Sequence, residues 1–200
     1  MNNKLIILGK HERTTPDFKQ MTIDDPDWMK DYDIWGINDG FGKASHIPFT
    51  HWFEIHDPSN YDVTEARQLR WMQNTNLPLY AHQKMLDALR MKNGRLFPYA
   101  EIMHKLDTSY FTSTIAWLMG FALSREKYKR IDVLGVDMKH ATEYEQQRPC
   151  MEYWIGYGKG LGIDVRIPPT STLLGDGMLY GLGIHESSMP RLDADTVRSL

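Results

Sequence analysis

The stretch Ser113-Thr-Ile-Ala-Trp-Leu-Met-Gly-Phe-Ala-Leu-Ser-Arg125, followed closely by Arg130-Ile-Asp-Val-Leu-Gly-Val-Asp137, decides how this chain is read. Ile115, Ala116, Leu118, Met119, Phe121 and Ala122 give a strongly apolar helix, and Thr112 or Ser113 before them is an N-cap type. Residues 130–137 read instead as a strand that leaves a carboxylate at its C-terminal end. A polar loop, Met138 to Pro149, leads to a second predicted helix from about Met151 to Gly160, and Asp164-Val-Arg-Ile167 is a last strand stopped by Pro168-Pro169. Helix, strand, helix, strand at this spacing implies a parallel sheet. The expected fold is α/β and Rossmann-like, a mostly parallel sheet flanked by helices.

The flanking sequence extends the same sheet. Lys4-Leu-Ile-Ile-Leu8 is apolar on both faces, as a strand covered by helices on each side must be, and Gly9 ends it. Asp33-Ile-Trp-Gly-Ile-Asn38, closed by the turn formers Asn38-Asp39-Gly40, and Thr50-His-Trp-Phe-Glu-Ile-His56, stopped by Asp57-Pro58, read as two more strands. Val63 to Asn74 has helical spacing. Leu77-Pro-Leu-Tyr80 and Tyr99-Ala-Glu-Ile-Met103 are shorter strand candidates, and Lys10 to Pro16 reads as a loop. One Rossmann-like domain is expected over 1–200. It comprises an N-terminal half (1–109), the helix–strand–helix–strand unit (110–175) and an irregular tail (176–200), with a short terminal helix over Arg191 to Leu200.

Composition narrows the function. A chain of 200 residues can bury one full core, and 42% hydrophobic with 24% charged residues is ordinary for a globular protein. The net charge of −3 and pI near 6.2 lack the basic excess of a dedicated duplex-binding protein. A single cysteine, Cys150, excludes an internal disulfide and a multi-thiolate metal site. The apolar run ending at Gly9 is too short to span a bilayer, and no later run reaches the ~18 residues that would. The expected compartment is the cytoplasm, with no membrane partner.

In an open parallel sheet, ligands bind beyond the carboxyl ends of the strands. Five polar clusters fall there. Gly9-Lys-His-Glu-Arg13 permits close backbone approach at Gly9 and phosphate neutralisation by Lys10 and Arg13, although it is neither a GxGxxG nor a Walker loop. Asn38 offers an amide to a ribose or base, with a plain Asx turn as the alternative. Glu54 and His56 share a face by strand alternation, but as a metal site they lack a third ligand. Thr112-Ser113-Thr114 opens the apolar helix, either as an anion cradle or as simple capping. The loop bearing Asp137, Lys139, His140, Glu143, Tyr144, Gln146, Gln147 and Arg148 is the richest in groups for proton transfer and leaving-group stabilisation. Cys150, beside Pro149, reads as structural, and Tyr153 and Tyr157 either reach a pocket or pack.

The segments Tyr110-Phe-Thr-Ser-Thr-Ile-Ala-Trp117, Ile131-Asp-Val-Leu-Gly-Val-Asp-Met138 and Val165-Arg-Ile-Pro-Pro-Thr-Ser-Thr-Leu-Leu174 together resemble a known pattern. It is that of the Rossmann-like superfamily of bacterial family 42 sialyltransferases, motility accessory factor proteins and an archaeal pterin pyrophosphokinase. The resemblance covers roughly Tyr110 to Leu174, while the wording around Glu143 and Gln146 resembles proteins of tailed phages. It implies nucleotide contacts at Asn38, Thr112, Ser113 and Ser171. It further implies a leaving-phosphate role at Tyr144 and a base in the insertion, where His140 is the positional candidate. The chain departs from the pattern in its first loop, Gly-Lys-His-Glu-Arg in place of Gly-x-Gly-Pro-Ser, and in a shorter insertion.

These readings lead to a nucleotide-binding transferase, glycosyltransferase-like, using a nucleotide-activated donor and needing no metal. The catalytic candidates are His140 (or His56 as base), Tyr144 and Arg148. The donor-binding candidates are Gly9, Lys10, Asn38, Thr112, Ser113, Asp137 and Ser171. Two alternatives stay open: Mg²⁺-dependent phosphoryl or pyrophosphoryl transfer with Asp137 or Glu54 on the metal, and a non-catalytic module that sequesters a nucleotide. The acceptor is open between a modified DNA base and a glycan, and assembly into a homo-oligomer is open as well.

Overall fold

The computed structural model describes residues 2–10, 27–43, 47–59, 66–139, 143–175, 178–179 and 184–185. Seven strands form one sheet: β1 (Lys4–Leu8), β2 (Tyr32–Ile37), β3 (His51–Glu54), β4 (Leu79–Ala81), β5 (Gly94–Leu96), β6 (Arg130–Leu134) and β7 (Asp164–Arg166). Their order is β5-β4-β3-β2-β1-β6-β7, and every adjacent pair is parallel. The chain builds outward from β1 to one edge, then returns to lay β6 and β7 on the other side. The strand order therefore reverses between β1 and β6, the place where such sheets open a ligand crevice.

Period-2 alternation divides the strand residues between two cores. Leu5, Ile7, Trp35, Ile37, Phe53, Ile55, Ile131 and Val133 belong to the larger core. It also contains residues of α3 (Tyr99–Leu106), α4 (Thr114–Ser124) and α5 (Arg148–Gly160). Ile6, Ile34, Trp52 and Leu79 pack with Met72 of α1 (Ala66–Asn74), Met85 of α2 (Gln83–Leu89), and Trp28 of a 3-10 turn over Trp28–Asp31. Helix α4 is buried almost all round, which is why its apolar residues leave no polar face. Two buried acids are paired: Asp33 accepts from Lys127 (2.5 Å) and Tyr128 (2.8 Å), and Asp132 takes a two-pronged Arg130 (2.7 and 2.8 Å).

Several expectations need correction. Tyr99 to Met103 is the start of helix α3, not a strand. The same spacing that alternates also puts Ile102 and Leu106 on one helical face with Tyr99, and that face packs on the core. The missing edge strand is Gly94–Leu96, and α2 had no signal in the sequence reading. Helix α5 begins at Arg148 rather than Met151, since Pro149 suits a first helical turn, and a π-turn over Glu143–Gln147 feeds it. The segment expected as loop to Pro149 is thus partly helical. Asn38–Lys43 forms a 3-10 turn. The tail is not wholly irregular, because Met178–Leu179 and Ile184–His185 pair antiparallel as β8 and β9. Arg191 to Leu200, Arg13 and residues 63–65 lie outside the described residues. Among those described, no helix is long and apolar enough to cross a membrane.

His51, at the start of β3, sits between the rings of Trp35 (6.0 Å) and Tyr80 (6.1 Å), and burial lowers its pKa below 6.5, against the opposing pull of Asp33. A lowered folded-state pKa means the unfolded chain takes up this proton first. The stabilisation is complete above the unfolded value and is lost as pH falls through it towards the folded one. Denaturant melts should therefore show wild type losing more stability than His51→Gln between about pH 7.5 and about pH 5. Equal losses in the two proteins would contradict this.

Candidate nucleotide site at the switch point

The loops after β1 and β6 touch through two glycines. Gly9 N–H donates to the Leu134 carbonyl (2.7 Å), and a Cβ on Gly9 would collide with the Gly135 carbonyl, while one on Gly135 would collide with that of Gly9. Gly135 also holds φ +72°. With no side chain between them, the two strand ends close up and leave room above. That room is a cavity of about 1030 Å³.

Six of the binding residues singled out from the sequence, Gly9, Lys10, Asn38, Thr112, Ser113 and Asp137, line this one cavity. His56, Phe111, Thr114, Trp117, Glu143 and Gln147 line it too. Ser113 caps α4, its hydroxyl accepting from Ala116 N–H (3.2 Å). The first turn of α4 therefore brings a helix N-terminus, with its partial positive charge, to the cavity wall. Thr112 Oγ1 donates to the Gln146 carbonyl (2.9 Å), tying this wall to the π-turn before α5. Lys10 pairs with Asp39 (2.5 Å) across the mouths of β1 and β2.

Asn38 is the unusual member. It ends β2 in the left-handed region (φ 51°), where Asn is tolerated better than most residues, and its carbonyl accepts from Trp52 Nε1 (3.2 Å). Its side-chain Oδ1 is buried and has no hydrogen-bond partner among the described residues. A buried acceptor left unpaired costs about 1–3 kcal/mol, so a donor from a ligand would recover what the free protein gives up.

Other candidates serve the scaffold. Ser171 Oγ donates to the Val136 carbonyl (2.7 Å), and Asp137 Oδ1 accepts from Thr172 N–H (3.0 Å), while Thr172 Oγ1 donates to the Asp137 carbonyl. The Pro-Pro-Thr-Ser-Thr segment thus clamps the Gly-Val-Asp loop, and Ser171 is not among the cavity residues. Arg148 lies outside the cavity lining: it pairs with Glu152 (2.8 Å) and donates to the Gly175 carbonyl (2.6 Å), bracing the last loop on α5. His140 and Arg13 lie outside the described residues, as does the side chain of Tyr144. Cys150 is buried and donates to the Tyr110 carbonyl (3.3 Å), which also accepts from Trp154 Nε1 (2.9 Å). Tyr153 and Tyr157 are half-exposed on α5 and pack on each other and on Trp154.

One feature was missed in the sequence, and a second was read only in part, as Glu54 and His56 on one face. Phe111 is sandwiched between Trp117 (4.0 Å) and Trp154 (4.7 Å), both nearly parallel to it, and forms part of the cavity wall. The other is a polar chain behind the wall. Glu54, with 0% exposure, accepts from His56 Nδ1 (2.6 Å) and from Gln68 Nε2 (3.0 Å). Tyr99 donates to the neighbouring Ile55 carbonyl (2.6 Å), and burial, with Asp57 and Glu54 nearby, pushes its pKa up to about 12. Lys84 and Ser59 hold the Asp57 carboxyl well below the usual carboxylate range. Among the described residues, no group of three or more His, Cys, Asp or Glu is placed to hold a metal ion.

No protein-family model matches the sequence, and no curated protein matches it significantly. Among solved structures, the chain is similar to the sialyltransferase CstII from Campylobacter jejuni in complex with the substrate analogue cytidine-5′-monophosphate (CMP). The identity is 14% and the TM-score 0.50, over 86% of this chain and 82% of that one. A Tyr-to-Phe variant of sialyltransferase Cst-II, in complex with CMP, is 11% identical with a TM-score of 0.50, over 84% and 81% of the two chains. The Rossmann-like α/β fold resemblance expected from the sequence is thus met in structure.

Proposed function

We propose that the protein binds a nucleotide-activated donor in the switch-point cavity and transfers the activated group, in the manner of a glycosyltransferase. The observation that carries this reading is the buried Oδ1 of Asn38, unpartnered among the described residues, on a residue that lines a cavity walled by a helix N-terminus. A nucleotide supplies both complements: hydroxyl or amino donors for Asn38, and phosphate charge for the start of α4. The shared fold with proteins whose structures hold CMP makes CMP the first probe.

The donor set argues for metal-independent binding. Both Glu54 oxygens accept from His56 and Gln68, and Asp137 Oδ1 accepts from Thr172 N–H, so a cation at either would compete with these donors. Saturating CMP, at about 100 times its Kd, should stabilise the fold by about 2.7 kcal/mol. That raises the melting temperature by about 5–10 °C, equally with Mg²⁺ or with a chelator. Asn38→Gly keeps the left-handed backbone and deletes the side chain with its amide. It should weaken CMP binding about tenfold, within the ~1–3 kcal/mol of an unpaired buried group. If neither CMP nor any other nucleotide shifts the melt, the proposal fails. A shift that requires Mg²⁺ would favour phosphoryl transfer instead.

A further inference from the structure

We infer that His56 is the general base that takes the proton from the acceptor, and that buried Glu54 is the positioning residue that holds it; this rests on the transfer reaction proposed above. A fully buried carboxylate is costly unless each oxygen is paired. Glu54 meets that need with two partners, His56 on Oε1 and Gln68 on Oε2. Among the described residues no Lys or Arg pairs with it, so the His56 imidazole is the ionisable group it holds. A carboxylate oxygen 2.6 Å from Nδ1 accepts a hydrogen bond from a proton held there, and that tautomer leaves Nε2 as the acceptor nitrogen. His56 is on the cavity wall with its side chain 32% exposed, and Nε2 stands 3.5 Å from Thr114 Oγ1 in the first turn of α4.

The atoms then balance as follows. The acceptor hydroxyl gives its proton to His56 Nε2, and its oxygen forms a bond to the anomeric carbon of the donor. The bond from that carbon to the phosphate oxygen breaks, its electron pair leaving with the nucleotide. The imidazolium formed is stabilised by Glu54, a carboxylate already in place and shielded from water.

Three measurements test this. In the free protein, ring ¹⁵N shifts of His56 should report the Nδ1–H tautomer; an Nε2–H tautomer overturns the dyad whatever the enzyme turns over. Release of nucleotide from CMP-sialic acid, and from UDP- and GDP-sugars, is followed with water as acceptor, beside CMP binding by calorimetry. His56→Ala should lower release about 10²–10⁴-fold. It should leave the Kd for CMP within about threefold, because a base contributes to the transition state and not to ground-state binding. Glu54→Gln preserves shape but offers Nδ1 an amide donor. It should switch the tautomer and lower release about 10²-fold or more, again with CMP affinity kept. Unchanged release in His56→Ala overturns the assignment, as does a parallel loss of release and CMP affinity, which would make His56 a nucleotide ligand. A wild-type protein that binds CMP but releases nucleotide from none of these donors overturns both the base role and the transfer reaction. One that releases nucleotide equally well without His56 overturns only the base.

Discussion

Gly135→Ala is expected to lower the melting temperature by about 5–15 °C and to weaken CMP binding with it. Two costs add. Residue 135 sits at φ +72°, a region that costs a residue with a Cβ about 1 kcal/mol or more. The new methyl would also meet the backbone of Gly9, which cannot rotate away as a side chain would. Such overpacking costs about 1–3 kcal/mol. A chain of this size loses about 2–4 °C per kcal/mol. Two control variants separate the terms. Gly162 has φ +77° but open space around its Cβ, so Gly162→Ala should show the conformational cost alone. Gly156, inside α5 with nothing near, should become more stable as alanine by about 0.5–1 kcal/mol. If Gly135→Ala melts no lower than Gly162→Ala, the interlocked glycines are not what sets the spacing of the two strand ends.

Trp154→Ala should be the most damaging change in the larger core, costing about 3–5 kcal/mol. The indole is fully buried, stacks on Phe111 at 4.7 Å and donates to the Tyr110 carbonyl. Its loss leaves a void and removes one of the two planes that hold Phe111 upright in the cavity wall. Trp154→Phe keeps a ring face for the stack and forfeits the hydrogen bond and part of the indole volume, about 1–2 kcal/mol. Denaturant melts of the two variants should therefore differ by several kcal/mol. The CMP affinity of Trp154→Ala, measured where it is still folded, should fall as Phe111 loosens beside Thr112 and Ser113. Equal stabilities for the two variants would assign the effect to the Tyr110 carbonyl rather than to the stack.

Legibility in the sequence followed burial on both faces. β1 and α4 are nearly continuous apolar runs because helices or strands cover them all round, and such runs need no partner to be recognised; β6 keeps Ile131, Val133 and Leu134 apolar around the buried Asp132. Residues 94–96 and 83–89 were not legible: an edge strand of three residues and a helix of two turns carry too little periodicity to stand out. Tyr99 to Met103 was misread because five residues fit either period. Of the six cavity residues expected from the sequence, Gly9, Lys10, Asn38 and Asp137 follow strands beside the reversal of strand order, while Thr112 and Ser113 stand at the start of α4. Arg148 shows the limit of that reasoning. Its loop was identified as polar, but only the packing of Glu152 and Gly175 decides that the guanidinium braces the scaffold. Gln68 gave no signal at all, since its value depends on where α1 lies over β3.

The position of β1 bears on how the protein is made. β1 lies at the heart of the sheet, yet its second neighbour, β6, pairs with it through Lys4↔Arg130 and Leu8↔Leu134. While a ribosome is still adding the intervening residues, at about 5–20 each second, β1 is an unprotected sheet edge of five residues with an aliphatic centre. Such an edge is a template for pairing with any extended chain nearby. The strand that later anchors the ligand crevice is thus, for several seconds of synthesis, the part of the molecule most in need of a chaperone's shelter.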